Sequence, residues 1–443
     1  MGHNRLVKGA VYCTIAAGAL TALLAGARPA TAQTAYPTDK RHMAESVEIC
    51  DFGAFFVGGV PKLTKWANST VEGTTWQELI IGQMYVQFMI PKKQRGWPLI
   101  MVHGGGYTGS GLESTPDGNE GWFAYAVRNS LPTYVVDQAG RGRSGFDRSF
   151  INERIGTGNL ANFPSLANTS ASGIWTAWFG HLVPAGSDIT NGTLIRHGDP
   201  GDPQCAANPA HCTFHPAHNF DAVDPDIEAR RGAIGPAPLP ANNRYLALEH
   251  YKWGVPNTNV TLPTSICATC TPSTVNPADT WSGQDLAKLV AGLGGAVVAT
   301  HSQSGSVGHH MVRYLKDAGK LDKLKGLITI DGVGSSFASN GTTPADYRNI
   351  PYLTVSPYYP GLGDAGYRAN VDAINAAGGR AEFLSLADAR YGERFKGVTH
   401  MMMMGNGHLK VLDVILDWSS RNIRNQPKKN SCSVGRRGGG KDD

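Results

Sequence analysis

The sequence predicts an α/β fold with a mostly parallel, doubly wound sheet. Apolar runs of strand length alternate with stretches of helical periodicity, as expected of such a sheet. One apolar run, residues 296–299, leads through a tight turn containing Ser304 into a helix predicted over 307–316. Another run, residues 98–102, enters the glycine-rich stretch 103–106. These two strand ends are the parts of the chain that carry candidate chemistry.

Residues 1–32 have the features of a secretory signal peptide. Arg5 and Lys8 form a basic start, an apolar run covers 11–24, and residues 30–32 (Ala-Thr-Ala) are a cleavage-site pattern. The apolar run is too short to anchor the chain in a bilayer. Removal of this segment takes away three basic residues and no acidic ones, so the net charge falls from +5 to +2. We expect a secreted or periplasmic protein without a membrane anchor and without a nucleic-acid partner.

The remaining chain of about 410 residues is long enough for one large α/β domain with an insertion. Residues 33–145 form its predicted first part, which starts with antiparallel strands over 45–92. Residues 281–425 form the second part, and residues 426–443 a flexible tail. Further strands are predicted at 98–102, 133–137, 296–299, 326–330, 351–355 and 381–387, and helices at 281–293, 307–316 and 409–418.

Residues 146–280 separate the two parts and form a segment far longer than one crossover helix needs. The segment is rich in Pro, Asn, Gly and Thr, and it carries aromatic clusters such as Trp175, Trp178 and Phe179. We interpret it as a cap or lid over the active site. The alternative is a long surface loop held by disulfides.

The turn after residues 296–299 is a candidate nucleophile elbow. Ser304 is flanked, two positions away on either side, by Ser302 and Ser306. Small residues are required there because a larger side chain would clash with the helix that follows. The pattern is therefore a relaxed G-x-S-x-G, which predicts Ser304 as nucleophile and the N–H of Gly305 as an oxyanion donor. The alternative is a plain serine-rich loop between a strand and a helix.

Glycines at two other turns have different interpretations. Gly105 and Gly106 let backbone N–H groups approach a substrate oxygen closely, so we predict them as further oxyanion donors rather than as a plain turn.

Residues 140–145 match G-x-G-x-x-G, and a strand precedes them. A dinucleotide fingerprint would open a helix in a compact βαβ unit, whereas residues 146–149 lead into a segment without helical periodicity. The sequence therefore predicts no cofactor.

A histidine and a carboxylate complete the predicted triad. His408 lies on a glycine-rich turn before the last predicted helix and is the predicted base, with His400 as the competitor. Asp331 ends the predicted strand 326–330 and is the predicted acid, because such a position lets it orient the imidazole. The open alternatives for the acid are Asp364 and Asp388.

Six cysteines remain after residue 32, an even number that suggests disulfides in an exported protein. We expect the pairs Cys205–Cys212, Cys267–Cys270 and Cys50–Cys432. Half a zinc site or a redox pair is the rival interpretation of the C-x-x-C at 267–270. Three histidines around the first pair lack zinc-site spacing, so no metal ligand is predicted; they are His211, His215 and His218.

The chain resembles the α/β-hydrolases, and more narrowly a small group of secreted bacterial carboxylesterases. The resemblance covers 53–145 and 296–418 and leaves the insertion unmatched. It is carried by Gly53-Ala-Phe-Phe-Val-Gly-Gly59, His103-Gly-Gly-Gly-Tyr-Thr-Gly-Ser110, Glu113-Ser-Thr-Pro-Asp-Gly118 with Gly121-Trp122, residues 137–145, the serine turn and residues 405–408. That group commonly carries a Glu after the sixth strand, where this chain has Asp331.

The resemblance and the predicted triad imply hydrolysis of a carboxylic ester through an acyl-enzyme. Ser304, His408 and Asp331 would be the triad, and the partner a small-molecule or polymeric ester. The same fold could instead cleave an amide, lactone or polyester bond, or serve as a non-catalytic secreted binding protein. The sequence indicates neither the preferred acyl chain nor the oligomeric state.

Overall fold

A central eight-stranded sheet organises the molecule. The computed structural model describes residues 43, 45–116, 118–159, 170–188, 191–197, 201–203, 244–256, 281–359, 361–405, 407–423, 427 and 430–431. In chain order the strands are β1 (Ile49–Thr64), β2 (Gln77–Pro91), β3 (Lys93–Gln94), β4 (Leu99–Val102), β5 (Thr133–Asp137), β6 (Gly180–Val183), β7 (Thr193–Arg196), β8 (Ala296–His301), β9 (Leu324–Ile330), β10 (Tyr352–Ser356), β11 (Ala381–Ser385) and β12 (Asn430–Ser431).

The strand order across the main sheet is β1-β2-β5-β4-β8-β9-β10-β11. From β5 to β11 every neighbouring pair is parallel, whereas β1 pairs with β2 and β2 with β5 in antiparallel fashion. The predicted fold class is confirmed, and the antiparallel start expected over 45–92 is the long β1–β2 hairpin. Because β4, β8, β9 and β10 are parallel, their carboxyl ends meet at one edge of the sheet.

Helices cover both faces of the sheet. They are α1 (Ser110–Glu113), α2 (Trp122–Arg128), α3 (Arg148–Thr157), α4 (Ala171–Trp178), α5 (Arg244–Tyr251), α6 (Trp281–Gly292), α7 (Ser304–Asp317), α8 (Asp364–Ala376) and α9 (His408–Asn422). One buried cluster holds α2, α9 and residues of the insertion, and a second holds α6, α7 and α8.

Alternate residues of the parallel strands pack into these two clusters. In β4, Leu99 and Met101 belong to the first cluster, whereas Ile100 and Val102 belong to the second. Successive side chains of a strand point to opposite faces, so a strand covered on both faces must be apolar throughout. This is why β4 and β5 appear in the sequence as continuous apolar runs without polar alternation.

The described parts of the predicted cap contain α3, α4, the β6–β7 hairpin and α5. Within the G-x-G-x-x-G stretch, residues 142–144 form a single 3₁₀ turn. The expectation of no helix after residues 146–149 is wrong, since α3 begins at Arg148; this helix buries only Ser149 and so has no apolar stripe that a pattern could show. Asp137 at the end of β5 accepts the backbone N–H of Gly109 and pairs with Arg143. The stretch therefore ties two loops together and does not open a helix as a nucleotide-binding turn would.

The two ends of the described chain lie side by side. In the antiparallel β3–β12 pair, Ser431 lies opposite Lys93. At the start of β1, the sulfur of Cys50 lies 3.4 Å from the carbonyl oxygen of Pro91. The predicted signal peptide at 1–32, the cysteines other than Cys50 and most of the predicted tail lie outside the described residues. Within the described ranges, no helix has both the length and the apolar character needed to cross a bilayer.

Candidate active site

Ser302 occupies the sharp turn between β8 and α7. Its φ angle is +54°, a conformation that few residues other than glycine adopt. Its N–H donates to Ile330 O at 3.0 Å, and its carbonyl accepts the N–H groups of Gly305 and Val333 at 2.9 and 3.0 Å. The turn is therefore held from both sides in a strained conformation, which is the property expected of a nucleophile elbow.

Ser304 does not lie at the apex of this turn, contrary to the sequence prediction. It is the first residue of α7, and its side chain has no exposed surface. Its hydroxyl accepts the N–H of His301 at 2.9 Å and lies 2.8 Å from His301 O and 3.1 Å from Val102 O. Ser304 thus links β8 to β4 and serves as the small residue two positions after Ser302.

Asp331 and His400 form a buried hydrogen-bonded pair. The Nδ1 atom of His400 donates to Oδ2 of Asp331 at 2.6 Å, while Oδ1 accepts the N–H of Leu362 at 2.8 Å. Asp331 directly follows β9 and has a φ of +40°, so its backbone is also strained. The Nε2 atom of His400 is buried and has no hydrogen-bond partner among the described residues.

His408, the predicted base, is held elsewhere. Its Nδ1 lies 2.8 Å from Gly405 O and its Nε2 lies 2.6 Å from Glu120 O, so both ring nitrogens face carbonyl oxygens. Its own carbonyl accepts the indole N–H of Trp122 at 2.9 Å. In the structure His408 joins the start of α9 to the segment before α2, whereas His400, the competitor, bonds Asp331.

The two alternative acids contact other groups. Asp364 accepts the hydroxyl of Ser356 at 2.8 Å and the N–H of Gly361 at 3.2 Å. Asp388 is half exposed and caps a 3₁₀ turn by accepting the N–H of Arg390. Of the three candidate carboxylates, Asp331 is the one that the structure brings to a histidine.

The glycine loop after β4 lies directly against the serine turn. A Cβ atom added to Gly104 would come within 2.8 Å of Ser302 Cβ and 2.9 Å of His301 Nδ1. One added to Gly105 would lie 3.3 Å from the Cβ of Gln303. A side chain in this loop would push the two turns apart, which is the physical reason for glycine here.

Gly305 does not offer its N–H to a substrate. That N–H, predicted as an oxyanion donor, donates instead to Ser302 O at 2.9 Å inside the turn. The residue that follows the serine at the apex is Gln303, and its backbone N–H makes no hydrogen bond within the described part of the chain. Gln303, together with Gly105 and Gly106, lies where the two turns face each other.

A buried polar network fixes the two turns relative to each other. Gln138 donates its side-chain N–H to His103 O at 2.7 Å and to Gln303 Oε1 at 3.1 Å. Arg141 donates to Gly104 O at 3.2 Å and to Gln303 Oε1 at 3.0 Å. Burial lowers the pKa of Arg141 to about 10, so its guanidinium stays charged at neutral pH.

Two further histidines, His301 and His103, lie near the Asp331–His400 pair. The Nε2 of His301 donates to the carbonyl of His400 at 3.0 Å, and burial together with His400 lowers the pKa of His301 well below its usual value. Burial, with Arg141 and Arg143 nearby, also lowers the pKa of His103 to about 4 against the opposing effect of Asp137. His301 and His103 are therefore neutral at pH 7 and act as hydrogen-bonding scaffold.

Apolar side chains wall the site. Trp178 at the end of α4 stacks on His400 with ring centroids 5.4 Å apart. A small cavity of ≈ 10 Å³ beside His301 is lined by Tyr107, Met401 and Met403, among others. A larger cavity of ≈ 290 Å³ lies at the amino ends of β4 and β8, against Leu99 and Val297, and so belongs to the opposite edge of the sheet.

The sequence prediction did not select Ser302 and named His400 only as the competitor of His408, although both residues had a detectable signal. Two serines in the turn satisfy the small-x-Ser-x-small pattern, since Thr300 and Ser304 flank Ser302 in the same way. The deciding signal is distance from the strand, because an elbow nucleophile comes directly after the strand ends, and β8 ends at His301. For the histidine, the run of four methionines after His400 fits core filler or a pocket wall, and in the structure all four are buried.

Comparisons with known proteins agree with this architecture. No protein-family model matches the sequence. A solved structure of a novel bacterial esterase aligns with a TM-score of 0.61 and 25% identity over 86% of this chain and 98% of that chain. A probable secreted lipase, phiG, of Fungal sp. (strain ATCC 74256) is 32% identical over 98 residues, which span 22% of this chain and only 21% of that protein. The sheet order, the covering helices and the alignment with the esterase structure show that this chain has the α/β-hydrolase fold.

Proposed function

We propose that this protein is a serine carboxylesterase-type hydrolase with Ser302 as nucleophile, His400 as base and Asp331 as acid. The observation that carries the proposal is the strained Ser302 next to His301, whose ring bonds the backbone of His400. His400 in turn bonds Asp331 through Nδ1 and leaves Nε2 without a partner among the described residues. A base held in this way by an acid can accept a proton from a neighbouring hydroxyl.

The reaction proceeds in two halves. Ser302 Oγ attacks the ester carbonyl while Nε2 of His400 takes the hydroxyl proton, and Asp331 stabilises the resulting imidazolium. The tetrahedral oxyanion accepts hydrogen bonds from the N–H of Gln303 and from the loop at Gly105 and Gly106. Collapse of this intermediate releases the alcohol with the proton from His400. Water, activated by the same histidine, then cleaves the acyl-enzyme and releases the acid.

An ester is the favoured substrate class for two reasons. The solved structure that aligns over 98% of its own length is described as an esterase, and the fungal relative as a lipase. The site wall of Trp178, Met401 and Met403 is apolar, which suits an uncharged acyl or alcohol group. Amide, lactone and polyester substrates are the alternatives that the same site could cleave.

We further propose that residues 146–280 act as the cap and that the protein is exported. Trp178, within this segment, contacts His400, and the ring of His250 lies 5.3 Å from that of Tyr107 in the glycine loop. These contacts with residues at the carboxyl edge of the sheet support the proposed cap. The export proposal rests on the basic and apolar pattern of residues 1–32.

Matched serine variants test the proposed nucleophile. We expect Ser302→Ala to lower kcat for a p-nitrophenyl ester by about a thousandfold or more and to abolish labelling by a fluorophosphonate probe. Ser304→Ala should still be labelled, at Ser302, because it loses only a buried structural hydroxyl. Peptide mapping of the labelled serine and near-UV circular dichroism of each variant complete the experiment. A probe found on Ser304, or full turnover by Ser302→Ala, would refute the assignment.

A further inference from the structure

Three metal-ligating side chains converge in the predicted cap, away from the serine turn. His181 lies on β6, His197 directly follows β7, and Asp202 follows shortly after. Their nearest ligand atoms all lie within 4.8 Å of one another. The sequence separations of sixteen and five residues match no familiar zinc motif, so pattern reasoning predicts no ligand here.

The distances between the ligand atoms of these three side chains can be compared with those of a metal site. Nε2 of His181 lies 3.2 Å from Oδ1 of Asp202, yet it is buried and makes no hydrogen bond to any described residue. Nδ1 of His197 lies 4.0 Å from Oδ2 of the same carboxylate. In a tetrahedral zinc site with metal–ligand bonds of about 2.0–2.2 Å, neighbouring ligand atoms lie about 3.3 Å apart. The His181–Asp202 distance matches this spacing, whereas the His197–Asp202 distance of 4.0 Å and the largest separation of 4.8 Å exceed it, so the side chains would move inward on binding an ion.

The charge of the cluster also suits a cation. The side chain of Asp202 has no exposed surface, and its two carboxylate oxygens lie toward the imidazoles of His181 and His197. The two imidazoles beside it carry charge only when protonated, whereas a metal ion is bound by the neutral form. Imidazole nitrogen with carboxylate oxygen is a ligand set that suits Zn²⁺.

We propose that His181, His197 and Asp202 bind one divalent zinc-class cation. The two imidazoles are deprotonated at the coordinating nitrogen and Asp202 is ionised, so binding weakens as the pH falls and protons compete for the ligands. The ion is structural, because its ligands belong to the β6–β7 hairpin and the segment that follows it, and not to the Asp331–His400 pair.

This position would couple the ion to the cap. The ring of His197 packs on Tyr359, just after β10, with centroids 4.8 Å apart. His181 lies three residues after Trp178, whose ring stacks on His400. A metal ion at this cluster would therefore fix the hairpin against the core and hold the tryptophan in place.

Direct metal binding tests the site without any measurement of catalysis. The protein, made without a histidine tag and dialysed against EDTA, is titrated with ZnCl₂, and bound zinc is measured by equilibrium dialysis with elemental analysis. We expect one equivalent to be lost in His181→Gln and Asp202→Asn, with affinity reduced more than about a hundredfold. Asp417→Asn, which removes an exposed carboxylate on α9, is the matched control and should bind zinc normally.

The cysteines of the chain are the competing ligands, and Co²⁺ distinguishes them. We expect Co²⁺-loaded protein to show visible bands of a tetrahedral site without the near-ultraviolet charge-transfer band of a thiolate ligand. Zinc should raise the Tm of the wild type and of Asp417→Asn but not of Asp202→Asn. Zinc binding that is absent from the wild type, or equal in the wild type and Asp202→Asn, would overturn the proposal, as would a thiolate band.

Discussion

Asp331 combines a strained backbone with two well-defined hydrogen bonds. One carboxylate oxygen holds His400 at 2.6 Å and the other accepts the Leu362 N–H at 2.8 Å. The carboxylate therefore cannot rotate without breaking a bond, and it fixes the tautomer in which Nδ1 of His400 carries the proton. This constraint leaves Nε2 as the atom that can accept a proton from a substrate or a nucleophile.

Replacing this carboxylate by an amide tests its role. We expect Asp331→Asn to lower kcat for ester hydrolysis by up to about ten-thousandfold, because the amide keeps the shape but removes the charge and favours the wrong tautomer. Asp364→Asn and Asp388→Asn serve as matched controls and should retain most activity, since their carboxylates contact Ser356 and Arg390 instead. An inactive Asp364→Asn with an active Asp331→Asn would contradict the assignment.

The sequence predicted Asp331 as the acid but grouped it with His408 and Ser304, whereas in the structure it bonds His400, and the difference has a physical reason. Asp331 directly follows an apolar strand, so a purely local pattern placed it at the carboxyl edge of the sheet. The choice between His400 and His408 depends on which ring lies across the sheet from β9, a contact over 69 residues of chain. The choice between Ser302 and Ser304 depends on where β8 ends, within a margin of two residues. Strand ends are the least certain part of any assignment from sequence.

At the scale of elements, the contact between the glycine loop and the serine turn determines the geometry of the site. Both follow neighbouring parallel strands, β4 and β8, so their carboxyl ends are adjacent in the sheet. The charged Arg141 bridges them through Gly104 O and Gln303 Oε1. Rigid strands and a buried network thus place backbone N–H groups beside Ser302.

A methyl group at Gly104 should disturb this contact. We expect Gly104→Ala to lower kcat for ester hydrolysis by at least about tenfold, because the added Cβ would come within 2.8 Å of Ser302 Cβ and separate the oxyanion donors from the nucleophile. Gly292→Ala is the control, since a Cβ there meets no atom within 4 Å and the backbone φ is not positive. Steady-state kinetics on both variants check the prediction, and equal activity would contradict it.

Helix α6 carries a buried acid that makes stability depend on pH. Burial raises the pKa of Asp285 from 3.8 to about 7, although Lys288 at 3.0 Å opposes the rise. The folded state therefore keeps a proton that the unfolded state releases. The stability due to this group is fully present below about pH 4 and is lost as the pH rises through 7. A pKa rise of this size corresponds to about 4 kcal/mol.

We expect Asp285→Asn to remove this dependence. The amide matches the shape of the neutral acid, so the variant should gain stability relative to the wild type at pH 8 and little at pH 4. Urea unfolding at the two pH values measures the difference. Asp417→Asn, an exposed carboxylate paired with Arg421, should show no such change between the two pH values. A variant that loses stability at pH 8 would show that the ionised Asp285–Lys288 pair stabilises the fold.

At the scale of the whole molecule, the fold was predictable because continuous apolar strands and the helices between them are local features. The sheet order was not read from the sequence, since it depends on pairings such as β4 with β8, which lie almost two hundred residues apart. The insertion between β5 and β8 leaves this core intact, because it leaves the sheet after Asp137 and returns through α6. Its described parts contact the carboxyl edge through Trp178 and His250.

The last prediction concerns the closure of the chain by Cys50 and Cys432. Ser431, the residue before Cys432, pairs with Lys93 in the short β3–β12 sheet. Lys93 is two residues after Pro91, whose carbonyl oxygen lies 3.4 Å from the Cys50 sulfur, so the chain next to Cys432 lies near Cys50. A bridge there would restrict the unfolded chain and stabilise the fold by about 2–4 kcal/mol. We expect Cys50→Ser to lower the Tm under non-reducing conditions, and reduction to lower the Tm of this variant less than that of the wild type. Peptide mapping of the wild type under non-reducing conditions should recover Cys50 linked to Cys432. A free Cys50 thiol in protein recovered from the export compartment would refute the pairing.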